Sequence, residues 1–142
     1  MVPAEDATKE EVAEQIGELV MRVLSEDLRP SRIITRESLE NAIACVCVSG
    51  GSTNGVLHLL AVARESGIEL SIDDFEQISR RTPLLADLKP AGRFVSTDLY
   101  AAGGVPLILN RLDEAGLLHA DAMTVSARLS LAPAYLSVAG QF

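Results

Sequence analysis

The residues best suited to chemistry lie in one run, Gly50-Gly51-Ser52-Thr53-Asn54-Gly55. Two glycines free the backbone for close approach, and the polar residues after them are good helix openers. The first N–H groups of a helix lack internal partners and its dipole favours negative charge, so such a corner suits a carboxylate or a phosphate. No Gly-Lys-Ser/Thr follows, so the run is not a nucleotide-binding P-loop. The competing reading is a tight helix–helix corner capped by Ser52 or Thr53, and glycine pairs are more often simple turns.

Other candidates are weaker. Asp87 and Lys89 lie in a stretch rich in Pro and Gly, where exposed loop charges are the default. His58 follows Asn54 by one helical turn; it either reaches the corner or, more commonly for such a residue, is a satisfied polar group against the core. Cys45 and Cys47 are two apart on a helix and point about 200° from each other, so they cannot share one ion. A structural metal would need two further Cys or His ligands, and His58 and His119 are isolated. Small buried apolar residues are the expected role of both cysteines. The residues carried forward as substrate-binding candidates are Gly51, Ser52, Thr53, Asn54 and Lys89, with no catalytic and no metal residue.

The elements that position these residues are mostly helices. A capping-box pattern at Thr8 and Glu11 opens a helix to about Asp27, with Val12, Ile16, Leu19, Val20, Val23 and Leu24 at helical spacing and Pro30 as its end. A second helix starts at Thr35 and stops at Ser49-Gly50-Gly51. Its part from Ala42 to Val48 is apolar all round and predicts burial on every side. A third begins at Ser52 or Thr53 and closes at Gly67. A fourth starts near Ser71 and Asp74 and breaks at Thr82-Pro83. Residues 84–95 read as a short strand or extended loop with a turn at Pro90-Ala91-Gly92. Ser96 or Thr97 caps a further helix, and Pro106 sits in the first turn of a last one ended by Gly116.

Composition narrows the function classes. At 142 residues the chain has room for one ordinary domain, with 48% hydrophobic and 23% charged residues. A net charge of −8, with twelve scattered Lys and Arg, argues against nucleic acid and against anionic membranes. No apolar run reaches the ~20 residues of a membrane span. The acidic start, Met1 to Asp6, lacks the pattern of a secretory signal. Two cysteines fit a reducing, cytoplasmic setting.

Together the segments resemble a known family. The run Ser38-Leu39-Glu40-Asn41-Ala42-Ile43, the stretch from Gly50 to Ala63, Asp73-Asp74-Phe75, and the stretch from Thr82 to Gly92 are similar to the middle of the dihydroxy-acid and sugar-acid dehydratases. Asp98-Leu99, Gly103-Gly104-Val105-Pro106 and Ala115-Gly116-Leu117-Leu118-His119 continue the match in order, over about residues 8–126. The resemblance implies a hydro-lyase that removes water from a 2,3-dihydroxy acid to give a 2-keto acid, in branched-chain amino-acid biosynthesis, with an iron–sulfur cluster and magnesium in the full-length enzyme. Lys89-Pro90-Ala91-Gly92 and the run from Ser38 to Ile43 look closer to the dihydroxy-acid branch than to 6-phosphogluconate dehydratase; a pentonate dehydratase remains an alternative. The family's Cys-Asp-Lys motif and its catalytic-serine motif are both absent from this sequence. Cys45 and Cys47 stand where the family has aliphatic residues. After Ser126 the chain departs from the family, with Ala127-Arg128-Leu129-Ser130-Leu131 where a Gly-Lys-Thr-like stretch is expected, as in a truncation or frameshift.

The sequence therefore predicts a mainly α fold with one or two short strands, a segment of a larger α/β N-terminal dehydratase domain. It forms a single partial domain over residues 1–142, with a divergent tail at 127–142. The expected function is that of a hydro-lyase fragment inactive alone, with no cofactor of its own and a small dihydroxy acid as ligand of the full-length enzyme. The alternative is a non-catalytic helical module that binds an acid or phosphate at the Gly50–Asn54 corner. Self-association is expected because an isolated segment would expose Ala42 to Val48.

Overall fold

A computed structural model describes residues 2–126, and the divergent tail at 127–142 lies outside the described residues. Among the described residues seven helices follow one another: α1 (Lys9–Ser25), α2 (Pro30–Ile33), α3 (Arg36–Val48), α4 (Thr53–Glu65), α5 (Ile72–Arg81), α6 (Ser96–Ala101) and α7 (Gly104–Glu114). The expected extended stretch runs between α5 and α6, where an isolated bridge joins Leu88 and Phe94 around the cis Lys89–Pro90 bond.

The apolar helix α3 is central and packs against α4, α5 and α7, while α6 leans on α7. Ile43, Ala44 and Val48 of α3 meet Phe75 and Ile78 of α5 and Ile108 and Leu112 of α7, with Val56, Leu59 and Leu60 of α4 at the edge. The stretch Ala42 to Val48 is thus drawn inward: Ile43 and Val48 are completely covered, and Cys45, Val46 and Cys47 are half-buried. The premise for self-association through it falls away, because three neighbouring helices supply the cover.

Helix ends follow the chain's capping chemistry. At α3, Ser38 N–H donates to Thr35 Oγ1 at 3.2 Å while Thr35 N–H donates to Ser38 Oγ at 2.9 Å, a reciprocal pair. At α5, the Asp74 carboxylate accepts from the Ser71 N–H at 2.7 Å. Two starts differ from expectation. Thr8 does not cap α1 through its side chain; its N–H and hydroxyl both go to Asp6 Oδ1, at 2.9 and 2.6 Å. Ser96 and Thr97 lie inside α6, and Asp98 caps it by accepting from the Val95 N–H at 2.9 Å.

The end of α1 also differs. Asp27 adopts φ 47° and Leu28 N–H reaches the Val23 carbonyl at 3.0 Å, a left-handed cap made without glycine. Pro30, read as the terminator, instead opens the short α2, where its missing N–H has no partner to lose. No helix among the described residues is long and apolar enough to cross a membrane.

Candidate functional site

The Gly-Gly corner between α3 and α4 has a local structural cause for each glycine. Gly50 adopts φ 63°, and Gly50 and Gly51 N–H donate to the Cys47 and Val46 carbonyls at 3.2 and 2.8 Å, closing α3 in a Schellman motif. Gly51 is needed for space, since a Cβ there would stand 2.9 Å from Val46 Cγ1 and 3.0 Å from the Val46 carbonyl. The corner reading of the glycines is therefore sufficient without a ligand.

What the corner leaves open is the first turn of α4. Ser52 adopts extended backbone geometry but its side chain makes no capping bond. Gly51, Ser52, Thr53 and Asn54 are all exposed. Beside them is a shallow cavity of about 460 Å³, lined by Gly50, Gly51, Ser52 and Thr53 on one side and by Cys47, Phe75 and Ser79 on the other. Its apolar part, with Val46, Val56 and Phe75 beneath uncapped N–H groups, suits a small acid with an aliphatic end; Glu76, paired with Arg80 at 2.5 Å, also lines it, and Asn54 lies outside the lining.

The remaining candidates are not gathered here. Lys89 is exposed in the turn after Leu88 and does not line the corner cavity. Asp87 is occupied: its carboxylate takes Arg93 Nε at 2.6 Å, and its carbonyl accepts from the Arg93 and Phe94 N–H groups. A Cβ on Gly92 would collide with the Asp87 backbone, so the turn closes only with glycine. His58 is exposed on α4, neither against the core nor on the cavity wall.

Cys45 and Cys47 are both free thiols. Burial pushes the Cys45 thiol up to about 11, and burial raises Cys47 as well. Among the described residues no group of three or more His, Cys, Asp or Glu is placed to hold a metal ion. A two-residue cysteine spacing on one helix turns the two thiols apart and does not fit a shared iron–sulfur cluster.

A polar cluster that no sequence motif marks lies at the start of α3. Arg36 at the start of α3 donates to Glu40 Oε1 at 2.7 Å, to Asp74 Oδ1 at 2.5 Å and to the Glu69 carbonyl at 2.7 Å. Glu40 also meets His119 Nε2 at 2.7 Å. Next to it Asn41, buried at 7% exposure, clips the His119 backbone: its amide donates to the carbonyl at 3.0 Å and accepts from the N–H at 2.8 Å. The Arg36–Glu40 spacing of four was the available sequence signal; the other links join residues up to 79 apart. A surface depression of about 730 Å³ lies over Arg36, Arg64 and Asp74, but Arg36 and Asp74 already satisfy each other there. This cluster ties α3 to α5 and to the segment after α7.

Its electrostatics give a pH signature. The bonds from Arg36 and from the Ser71 N–H hold the Asp74 carboxyl at about 2, against an ordinary 3.8. Burial opposes ionisation of Glu40, yet Arg36 and His119 bring it below its usual value. A depressed carboxyl stabilises the fold fully above its unfolded pKa and ceases to as the pH falls through its folded one. Stability contributed by Asp74 is therefore expected to be complete above pH ~4 and lost toward pH ~2. Asp74→Asn should remove about 1 kcal/mol at neutral pH, once solvent screening of the partly exposed Arg36 is counted, and flatten that acid limb. Urea midpoints between pH 2 and 7 measure it; parallel curves for the two proteins would refute the assignment.

The pattern of the N-terminal domain of the dihydroxy-acid/6-phosphogluconate dehydratases matches residues 1–131, so the chain belongs to that family. Among its relatives, the dihydroxy-acid dehydratase of Koribacter versatilis is 61% identical over 89% of this chain and 22% of its own length. Those of Roseiflexus sp. and Haloarcula marismortui are 52% and 54% identical, over 89% and 87% of this chain. The chain spans less than a quarter of these relatives, 22–23% of their length.

Proposed function

We propose that this chain is a segment, a single partial domain, of a hydro-lyase that dehydrates 2,3-dihydroxy carboxylic acids to 2-keto acids, and that it is inactive alone. The observation carrying this reading is the family match over residues 1–131, with identities of 52–61% to proteins named dihydroxy-acid dehydratase. Within such an enzyme the chain would supply one wall of the substrate site. The uncapped first turn of α4, with Gly51, Ser52, Thr53 and Asn54, would face the substrate carboxylate, and Lys89 would add a positive charge from the neighbouring turn. The iron–sulfur cluster and magnesium that the family resemblance implies would be held by residues other than those of this chain, in a cytoplasmic enzyme. The acidic surface supports a small-molecule ligand over nucleic acid or membrane.

The test is a chimera in which residues 8–126 replace the matching segment of the Koribacter versatilis dehydratase. Turnover of 2,3-dihydroxyisovalerate should survive the exchange, and Asn54→Ala should raise KM roughly tenfold, the worth of one hydrogen bond to a charged group. The isolated chain should show no turnover and no saturable binding at millimolar acid, since an exposed helix N-terminus contributes only ~0.3–1 kcal/mol. A folded but inactive chimera, or one indifferent to Asn54→Ala, would count against the assigned wall. Specific binding by the isolated chain, lost in Asn54→Ala, would favour the free-standing acid-binding module instead.

A further inference from the structure

The chain has three asparagines, Asn41, Asn54 and Asn110, and the fold treats them differently. Asn41 and Asn110 are buried, at 7% and 6% exposure, inside α3 and α7. Each is followed by a residue with a side chain, Ala42 and Arg111. Asn54 is exposed in the first turn of α4 and is followed by Gly55. An asparagine before glycine carries its own reaction partner, because an unhindered backbone nitrogen stands next to the side-chain carbonyl. The fold does not require glycine at 55. Its φ is not positive, and a Cβ there would meet the Val46 methyl groups at 3.4 and 3.6 Å, ordinary packing distances.

We propose that Asn54-Gly55 is a site of spontaneous modification, at which Asn54 loses ammonia through a cyclic imide and becomes aspartate or isoaspartate. A base from solvent takes the Gly55 amide proton, and the Gly55 nitrogen attacks Asn54 Cγ. The N–Cγ bond forms as the Cγ–Nδ2 bond breaks, and Nδ2 leaves as ammonia with a proton from water. Water then opens the imide ring. Cleavage of the new N–Cγ bond gives aspartate; cleavage of the original peptide bond reroutes the backbone through Cβ as isoaspartate. The attack needs the first turn of α4 to open, since the Gly55 N–H donates to the Ser52 carbonyl at 3.0 Å. Two features ease that opening. Ser52 gives the turn no side-chain cap, and glycine is a poor helix former. Helix ends also open at far lower free energy than packed interiors. The aspartate product puts a carboxylate in a first turn that has no acidic residue, where the helix dipole favours it. The modification is independent of the hydro-lyase reading. Only its effect on substrate rests on that reading: a carboxylate at position 54 would repel the acid that the turn faces.

The folded 142-residue chain is aged at mildly alkaline pH, each asparagine is followed by tandem mass spectrometry, and isoaspartate is read by enzymatic methylation. Asn54 should gain the mass difference between OH and NH2, and the chain one negative charge on ion exchange, while Asn41 and Asn110 stay intact. The rate should rise with pH, since the attacking nitrogen must lose its proton. Gly55→Ala should slow conversion roughly tenfold, because alanine both strengthens the turn and crowds the nitrogen. Circular dichroism checks that this variant folds. Asn54→Gln, whose longer side chain closes a less favourable ring, should suppress the reaction with the glycine left in place. The chain unfolded in urea gives the rate without protection by the fold. Conversion of Asn54 only in urea, equal conversion at Asn41 or Asn110, or a Gly55→Ala chain that converts as fast as the native one would overturn the inference.

Discussion

Leu112→Ala is expected to cost about 3–4 kcal/mol, a large part of the ~5–15 kcal/mol that holds a domain of this size. Leu112 is one of nine buried apolar residues among those described, and it is completely covered. It stands where α7 meets α3 in the core cluster, and its carbonyl also accepts the Leu117 N–H at 2.8 Å that closes the helix. Truncation removes its packing and leaves a cavity that the surrounding helices, pinned by their caps, can only partly fill. Urea unfolding should show the midpoint falling at an unchanged slope. Val105→Ala on the same helix, at a 44% exposed position, should change stability by less than ~0.5 kcal/mol. A loss below ~1 kcal/mol for Leu112→Ala would place the core elsewhere.

Asn41→Ala is the second large effect, at about 2–3 kcal/mol. The side chain satisfies the N–H of His119 and shares its carbonyl with the Ala122 N–H while itself 7% exposed, so truncation leaves the N–H unpaired, halves the bonding of the carbonyl and opens a polar gap. Leaving a half-buried group unpaired costs more than the bond contributes when formed, to the extent that water is kept from it. Asn41→Asp is the sharper variant. It keeps an acceptor for the N–H but turns a second oxygen toward the His119 carbonyl, so it should recover little. Hydrogen exchange at the His119 amide, protected in the native chain, should accelerate in both; continued protection in Asn41→Ala would contradict the clip.

Helix positions were legible because periodicity and capping are local. Thr35, Ser71, Gly50, Gly67 and Gly116 do what their types suggest within four or five residues of themselves. Legibility failed where two local solutions competed. Asp6 took the Thr8 hydroxyl from the helix, and Asp27 accepted a left-handed backbone before Pro30 could act. It failed again where partners are distant: nothing near Asn41 or Arg36 announces His119 or Asp74, because those contacts exist only once α3, α5 and α7 are packed. At the candidate site, the sequence located the corner, and the structure divided its residues: the glycines serve the turn, while the start of α4 stays open beside a cavity. Lys89 could be named from its type but not placed, since the turn at Pro90 sets its direction.

The two thiols of α3 have a further consequence. A sulfur held protonated is a poor nucleophile, and Cys45, packed against the core with its titration pushed up to about 11, stays so across the physiological range. Peroxides and mixed disulfides act on the thiolate, so the central helix keeps its aliphatic character under oxidising stress as long as it remains packed. Thiolate oxidation at Cys45 is thereby made conditional on unfolding: α3 must lose its neighbours before that sulfur becomes chemically available.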